Sequence, residues 1–219
     1  MVGFYNYTVI LTYLSVLLAG VGMVFAIDGH PGLASMMLAL CGVCDMFDGT
    51  IARSKKNRTE DEKAFGIQID SLCDLVSFGV LPAVIGMAYA EGAEVPGHEG
   101  FSLEKLVLIL LPLFGLIRLA YFNVQESHLQ EDGIKRKYYK GLPITSSAVI
   151  FTMLFVVRIF FRIPPVTYYN VYCILALVTG ILFITPIKVP KPGLKGLIFF
   201  AAMGLLILIG VILRVVGVI

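Results

Sequence analysis

The chain has 219 residues, of which 58% are hydrophobic and only 15% are charged, and its mean hydropathy is +0.89. This composition excludes an ordinary soluble domain and predicts an all-α polytopic membrane protein. The formal net charge of +2 is small, so the basic loops suit anionic lipid headgroups or phosphates, and we expect no nucleic-acid partner.

Apolar windows of about 20 residues, enough to cross roughly 30 Å of hydrocarbon, recur along the whole sequence. We expect one domain over residues 1–219, formed by a bundle of six to seven transmembrane helices. The predicted spans are Tyr7–Ile27, Leu33–Arg53, Gly66–Ala90, Leu103–Val124, Leu142–Phe161, Tyr168–Pro186 and Leu194–Val216. The first span has no basic segment before it and is too long for a signal-peptide core, so we expect a retained helix.

Basic residues are concentrated in alternate connections between these spans. They are Arg53, Lys55, Lys56, Arg58 and Lys63, then Lys135, Arg136, Lys137 and Lys140, then Lys188, Lys191 and Lys195. Because cytoplasmic loops retain Lys and Arg, these connections and the N-terminus are predicted to face the cytoplasm from the cell membrane.

All four cysteines, Cys41, Cys44, Cys73 and Cys173, fall within predicted spans. We expect them to be free thiols that pack as small apolar residues, with no disulfide. Cys41 and Cys44 are three residues apart beside aspartates, so a soft-metal site is the alternative.

Four aspartates stand in the second and third spans, next to the first basic connection: Asp45, Asp48, Asp70 and Asp74. Helical spacing places each pair on one face, and antiparallel packing would bring the pairs together near the cytoplasmic surface. Four such carboxylates need counter-charge, which one or two hard cations such as Mg²⁺ or Mn²⁺ would supply. The alternative is that single aspartates cap helices or pair with nearby Lys and Arg.

Glycines accompany the aspartates on both helices. Gly49 and Gly66 leave the backbone bare, which would let a bulky ligand approach the carboxylates. Arg53 follows one turn later and suits a phosphate, although it could instead extend to the membrane interface.

The pattern D-x2-D-G-x2-A-R, a spacer and G-x3-D-x3-D resembles the signature of the CDP-alcohol phosphotransferases. The matching residues are Asp45, Asp48, Gly49, Ala52, Arg53, Gly66, Asp70 and Asp74. The spacer, residues 54–65, is longer than is usual in that family, and we expect its polar insertion to lengthen the cytoplasmic loop.

This resemblance implies a homodimeric enzyme that passes the phosphatidyl group of a CDP-linked lipid to a small alcohol and releases CMP. It implies Mg²⁺ or Mn²⁺, two per site, held by Asp45, Asp48, Asp70 and Asp74, with Asp74 also the general base. It further implies CDP-lipid contacts from Asp45, Gly49, Ala52, Arg53 and Gly66. No H-x-K-x4-D motif is present, which favours direct displacement without a histidine intermediate.

The segments DSLCDLVSFGVLPA, RLAYFN and KGLPITSSA resemble the membrane-embedded phosphatidylserine synthases, although Tyr121 stands where a second arginine is expected. This resemblance implies CDP-diacylglycerol and L-serine as substrates. The candidate acceptor contacts are Arg118, Asn123, Lys140, Thr145, Ser146 and Ser147. The cations could instead anchor headgroups, and the hydroxyls could bond backbone carbonyls.

Two alternatives stay open. A sister enzyme would use glycerol 3-phosphate, inositol phosphate or ethanolamine, and the basic cluster at 135–140 would suit a phosphorylated acceptor. A cation transporter would also hold intramembrane carboxylates, but it predicts acidic residues near the bilayer centre and an internal repeat, and neither is found in the sequence.

Overall fold

The computed structural model describes residues 3, 7–55, 57–93, 95, 100–131, 138–190, 202 and 209. Its seven α-helices are α1 (Ile10–Ile27), α2 (Pro31–Ser54), α3 (Glu60–Asp74), α4 (Leu81–Gly92), α5 (Leu103–Glu131), α6 (Ser146–Phe161) and α7 (Pro165–Ile184). A 3₁₀ turn, Tyr7–Val9, leads into α1, and a π-helical turn, Leu75–Val80, joins α3 to α4. Two short strands, β1 (Tyr138–Lys140) and β2 (Lys188–Pro190), pair antiparallel.

Within the described residues, five helical segments are long and apolar enough to cross a membrane, which confirms the predicted all-α polytopic architecture. They are Tyr7–Ile27, Pro31–Ala52, Glu60–Gly92, Leu103–Gln125 and Pro165–Ile184. Helix α6 is also apolar but has only 16 residues. The predicted seventh span, 194–216, lies outside the described residues except for positions 202 and 209.

Helix α6 begins at Ser146, four residues later than the predicted start at Leu142. Gly141 adopts a φ of +83°, and Pro143 disfavours helical backbone at the residue before it. The two short strands, β1 before α6 and β2 after α7, were not predicted from the sequence. They join the connection before α6 to the segment after α7.

The prediction that the polar insertion lengthens the cytoplasmic loop is wrong, because much of the insertion is helical. Helix α2 continues to Ser54, and α3 begins at Glu60 instead of Gly66. A capping box starts α3: the Thr59 hydroxyl accepts from the Glu62 N–H at 3.1 Å, and the Glu62 carboxylate accepts from the Thr59 N–H at 3.1 Å. The insertion therefore lengthens α3 and leaves only residues 55–59 between the two helices.

The π-helical turn is held by hydroxyl groups from neighbouring helices. Pro82 has no N–H, so it cannot donate the helical hydrogen bond to the Phe78 carbonyl four residues earlier. The Ser147 hydroxyl of α6 donates to that carbonyl instead, at 2.6 Å. Ser77, within the turn, is 3.0 Å from Ser15 of α1, oxygen to oxygen. These bonds fix the segment that directly follows Asp74.

The core surrounds the third transmembrane segment and receives buried side chains from α1, α2, α5, α6 and α7. Its largest fully buried side chains include Phe78, Leu108, Tyr168 and Tyr172. The Tyr172 hydroxyl donates to the Pro82 carbonyl at 2.6 Å, so a buried polar group is satisfied inside the apolar bundle.

All four cysteines are buried free thiols, Cys41, Cys44, Cys73 and Cys173. The Cys41 thiol donates to the Ser15 carbonyl at 3.3 Å. This contact ties α2 to α1 and fits the packing role expected for these residues.

Candidate active site

Helices α2 and α3 bring the aspartates of the signature together at one end of the bundle. One carboxylate oxygen from each of Asp45, Asp70 and Asp74 lies within 4.8 Å of the other two. Asp48 stands within hydrogen-bonding range of Asp70. All four side chains are partly buried, so these carboxylates are close to one another and only incompletely hydrated.

Among the described residues, one cation is buried beside this cluster. Arg118 of α5 is buried and interacts electrostatically with Asp45 and Asp74. The ion pairs found among the described residues tie other groups together, Lys55 to Glu62, Lys63 to Glu60 and Lys105 to Glu91. A single buried arginine does not neutralise four clustered aspartates, and this arrangement favours a bound cation.

The donor set fits a hard divalent cation. Oxygens that share one ion at about 2.0–2.6 Å can lie no more than roughly 4–5 Å apart, and Asp45, Asp70 and Asp74 meet that condition. Within the described part of the chain, this acidic triad is the group that could hold a metal ion, and it contains no cysteine. An all-carboxylate set suits Mg²⁺ or Mn²⁺ better than a soft metal.

A cavity of about 280 Å³ opens beside the aspartates. Its described lining comes from the 3₁₀ turn and first turn of α1, the end of α2, the α2–α3 connection and α3: Thr8, Val9, Thr12, Asp48, Gly49, Ala52, Arg58, Lys63, Gly66, Ile67 and Asp70. The structure therefore places the predicted Gly49, Ala52 and Gly66 on one surface with two of the aspartates.

Several residues of this surface were not foreseen from the sequence. Thr8 and Thr12 lie on one side of the first span, but nothing in the pattern indicated which helix would approach the site. Arg58 belongs to the polar insertion, and the sequence predicted it only as one of the basic residues of a cytoplasmic connection. Lys63 shares the surface and also pairs with Glu60 at 2.7 Å.

Arg58 lies over Gly66, the glycine that begins the G-x3-D-x3-D part of the signature. Its guanidinium donates to the Glu62 carbonyl at 3.0 Å. A Cβ at position 66 would lie 2.5 Å from an Nη atom of Arg58, so the glycine leaves the space that the guanidinium occupies. Arg53 lies in the last turn of α2, and its side chain is outside the described part of the structure.

The candidate acceptor residues separate into two groups. Arg118 lies beside the aspartates and stacks over Phe122 at 4.9 Å. The Asn123 amide donates to the Ser71 hydroxyl at 2.9 Å, next to Asp70 in sequence. These two α5 residues face the α3 side of the site.

The others make no described hydrogen bond or ion pair to the aspartates. Lys140 is exposed in β1 opposite Lys188. Thr145 and Ser146 form the partly buried start of α6. Ser147 is fully buried, and its hydroxyl donates a hydrogen bond to the Phe78 carbonyl. This hydroxyl therefore stabilises the fold.

The known proteins to which this chain is similar include several whose names refer to phosphatidyl transfer to serine or to a serine-lipid synthase. A Saccharomyces cerevisiae protein named CDP-diacylglycerol–serine O-phosphatidyltransferase is 38% identical over 149 residues, which are 64% of this chain and 50% of that protein. A Mycobacterium leprae protein of the same name is 28% identical over 181 residues, 83% of this chain and 57% of that protein. The archaetidylserine synthase of Methanothermobacter thermautotrophicus is 30% identical over 179 residues, 82% and 64% of the two chains.

The chain thus spans between half and two thirds of the length of these relatives. The sequence model of the CDP-alcohol phosphatidyltransferase family matches residues 5–219, nearly the whole chain. Because this model matches nearly the whole chain, and aspartates from both parts of the signature meet at one site, the chain belongs to the CDP-alcohol phosphatidyltransferase family.

Proposed function

We propose that this protein transfers the phosphatidyl group of CDP-diacylglycerol to L-serine, giving phosphatidylserine and CMP. The observation that carries the proposal is the meeting of Asp45, Asp70 and Asp74 within 4.8 Å, beside a cavity lined by Gly49 and Gly66. Two of the relatives above are named for the same reaction, and the third is named as a serine-lipid synthase.

The nucleotide and pyrophosphate of the donor would occupy the 280 Å³ cavity. Gly49 and Gly66 allow the pyrophosphate to approach the backbone, while Arg58 and Lys63 supply positive charge on the same wall. Arg53, directly after Ala52 and about one turn after Gly49, would add a further phosphate contact. The acyl chains would extend from the cavity into the surrounding lipid.

Two divalent cations, Mg²⁺ or Mn²⁺, would be held here by Asp45, Asp48, Asp70 and Asp74. When bound, they would neutralise the pyrophosphate and the departing CMP. The aspartates thus fix the donor, and their partial burial limits competition from water.

The chain's own residues would then direct the attack. Asp74 would accept the proton of the serine hydroxyl as its oxygen forms a bond to the lipid phosphorus and the bond from that phosphorus to CMP breaks. CMP leaves with the bonding electrons. Arg118, buried beside Asp74, would bind the serine carboxylate, and Asn123 would border the same pocket.

We further propose that the aspartate end faces the cytoplasm, together with the N-terminus. Lys55, Arg58 and Lys63 lie at this end, and cytoplasmic loops are enriched in such residues. The homodimer expected from the family is part of the same proposal.

L-serine is expected to stimulate CMP release, whereas glycerol 3-phosphate, inositol phosphate and ethanolamine are not. Serine carries a carboxylate that Arg118 can bind, and among the described residues no second cation lies beside Arg118 and Asn123 for a phosphorylated acceptor. The assay supplies purified protein with CDP-diacylglycerol and each labelled acceptor in turn. Stimulation by another alcohol would assign the protein to a sister activity and refute the serine assignment.

Removal of divalent cations is expected to stop turnover, because clustered carboxylates without counter-charge repel the donor's pyrophosphate. The measurement is CMP release after exhaustive EDTA treatment, followed by titration with Mg²⁺ or Mn²⁺. Activity should return with either ion and should not return with Na⁺ at the same ionic strength. Full turnover in EDTA would refute a role for the cations.

Arg58→Gln is expected to raise the KM for CDP-diacylglycerol by about tenfold, the typical effect of one charge-assisted hydrogen bond, with a smaller change in kcat. Lys55→Gln is the matched control, since Lys55 pairs with Glu62 at 2.7 Å and is not among the described cavity residues. Equal KM changes in both variants would mean that only the general charge of the loop matters.

A further inference from the structure

A second cavity, of about 500 Å³, lies at the end of the bundle opposite to the aspartates. Its described lining comes from the α1–α2 turn, the end of α4, the outer part of α6 and the start of α7. Most of these residues are glycine, alanine, proline or large apolar residues, and the polar side chains among them are His30, Tyr89 and Arg158. None of the residues of the proposed active site belongs to this lining.

Arg158 of α6 gives the cavity its charge. Its guanidinium carbon lies 4.9 Å from the centre of the Tyr89 ring and 5.1 Å from that of Tyr168, so two aromatic rings hold it in place. Its Nε atom is buried without a hydrogen-bond partner, and the side chain has no ion pair within the described residues. A guanidinium offers five N–H donors, and the described residues record no hydrogen bond from Arg158, so the rings position a group whose donors can bind another molecule.

The surroundings of Arg158 favour an anion. The described lining contains no Asp or Glu. Gly32 and Leu33, in the first turn of the 24-residue helix α2, also line the cavity, and the N–H groups of a first turn lack intrahelical partners. Arginine, helix N-terminus and His30 therefore all contribute donors or positive potential to one space.

Apolar surface continues from the cavity toward the lipid. Ile27 at the end of α1 is 71% exposed, and Phe161 at the end of α6 is 76% exposed. In a bundle of membrane-crossing helices, such exposed apolar side chains would contact acyl chains. A free inorganic anion would use the guanidinium alone, whereas a phospholipid would use the guanidinium and this apolar surface together.

We propose that this cavity binds the phosphate of a phospholipid from the leaflet opposite to the aspartates. Arg158 forms the charge-assisted hydrogen bonds to the phosphate oxygens, the first turn of α2 adds N–H donors, and the acyl chains lie along the exposed side chains of α1 and α6. This site is independent of the proposed phosphatidyl transfer, because it shares no described residue with the aspartate cavity.

The chain contains no tryptophan, so a single fluorophore can be placed in the cavity by Leu33→Trp. The full-length variant in neutral detergent is titrated with phosphatidylglycerol that carries brominated acyl chains, which quench tryptophan on contact. Diacylglycerol with the same brominated chains serves as the ligand without phosphate. Phosphatidylglycerol is expected to reach half-maximal quenching at about tenfold lower mole fraction, as expected for a charge-assisted contact.

Arg158→Gln in the same background is expected to remove this preference. Arg162→Gln, at an exposed arginine four residues later, is expected to keep it. Equal quenching by the two lipids, or a preference that survives Arg158→Gln, would overturn the proposal. Displacement of the lipid by millimolar inorganic phosphate would show a free-anion site and would also overturn it. Should Arg158→Gln fail to fold by circular dichroism, the two-lipid comparison in Leu33→Trp alone decides.

Discussion

Asp70→Asn is expected to lower phosphatidyl transfer by about 10³-fold or more and to weaken CDP-diacylglycerol binding in the same variant. Asp70 lies within 4.8 Å of Asp45 and Asp74 and within hydrogen-bonding range of Asp48. Its substitution removes charge at the centre of the cluster, so both the bound cations and the donor pyrophosphate lose their support. The measurements are CMP release at saturating serine and equilibrium binding of CDP-diacylglycerol.

Asp61→Asn is the matched control for this variant. Asp61 is an exposed carboxylate in the first turn of the same helix, so its loss changes the charge of α3 without touching the cluster. Activity close to wild type is expected. Unchanged donor affinity in Asp70→Asn would contradict the assignment of this residue to the cation site.

Asp74→Asn is expected to lower turnover by about 10² to 10⁴ while most of the affinity for CDP-diacylglycerol is kept. The serine hydroxyl is a poor nucleophile at neutral pH and must lose its proton as it attacks. Asp74 ends α3, directly before the π-helical turn, and shares its surroundings with Arg118, where the serine carboxylate would bind. Asn keeps the shape of the side chain but cannot accept the proton.

Donor affinity separates two roles for Asp74. A residue that is chiefly a cation ligand would lose donor binding as severely as Asp48→Asn and Asp70→Asn. A general base would lose rate far more than affinity. Measuring both quantities for the three variants at saturating Mn²⁺ decides, and near-normal turnover in Asp74→Asn would exclude it as the base.

The arrangement of the aspartates could be predicted because it depends on local geometry. Asp45 and Asp48 are one turn apart on a helix, as are Asp70 and Asp74, and the short connection between α2 and α3 keeps both pairs at one end of the bundle. The start of α3 was also readable, since Thr59 and Glu62 have the spacing of a capping box. It was missed because the polar insertion has the composition of a loop.

Other parts of the site depend on contacts between distant segments and could not be read from the chain. Arg58 reaches Gly66 only because α3 is extended, and Thr12 lines the cavity only because α1 packs beside α2. The π-helical turn after Asp74 results from Pro82 together with a hydroxyl supplied by Ser147, 69 residues away. The cavity around Arg158 likewise joins four elements that no sequence motif connects.

The most direct test is a product balance with purified full-length protein in detergent micelles that contain CDP-diacylglycerol, L-serine and Mn²⁺. CMP and phosphatidylserine are quantified in the same samples for the wild type, Asp61→Asn and Asp70→Asn. Equal amounts of CMP and phosphatidylserine are expected from the wild type and Asp61→Asn, with neither product above background from Asp70→Asn. CMP release without phosphatidylserine, or equal formation of both products by Asp70→Asn, would contradict the proposed phosphatidyl transfer at this site.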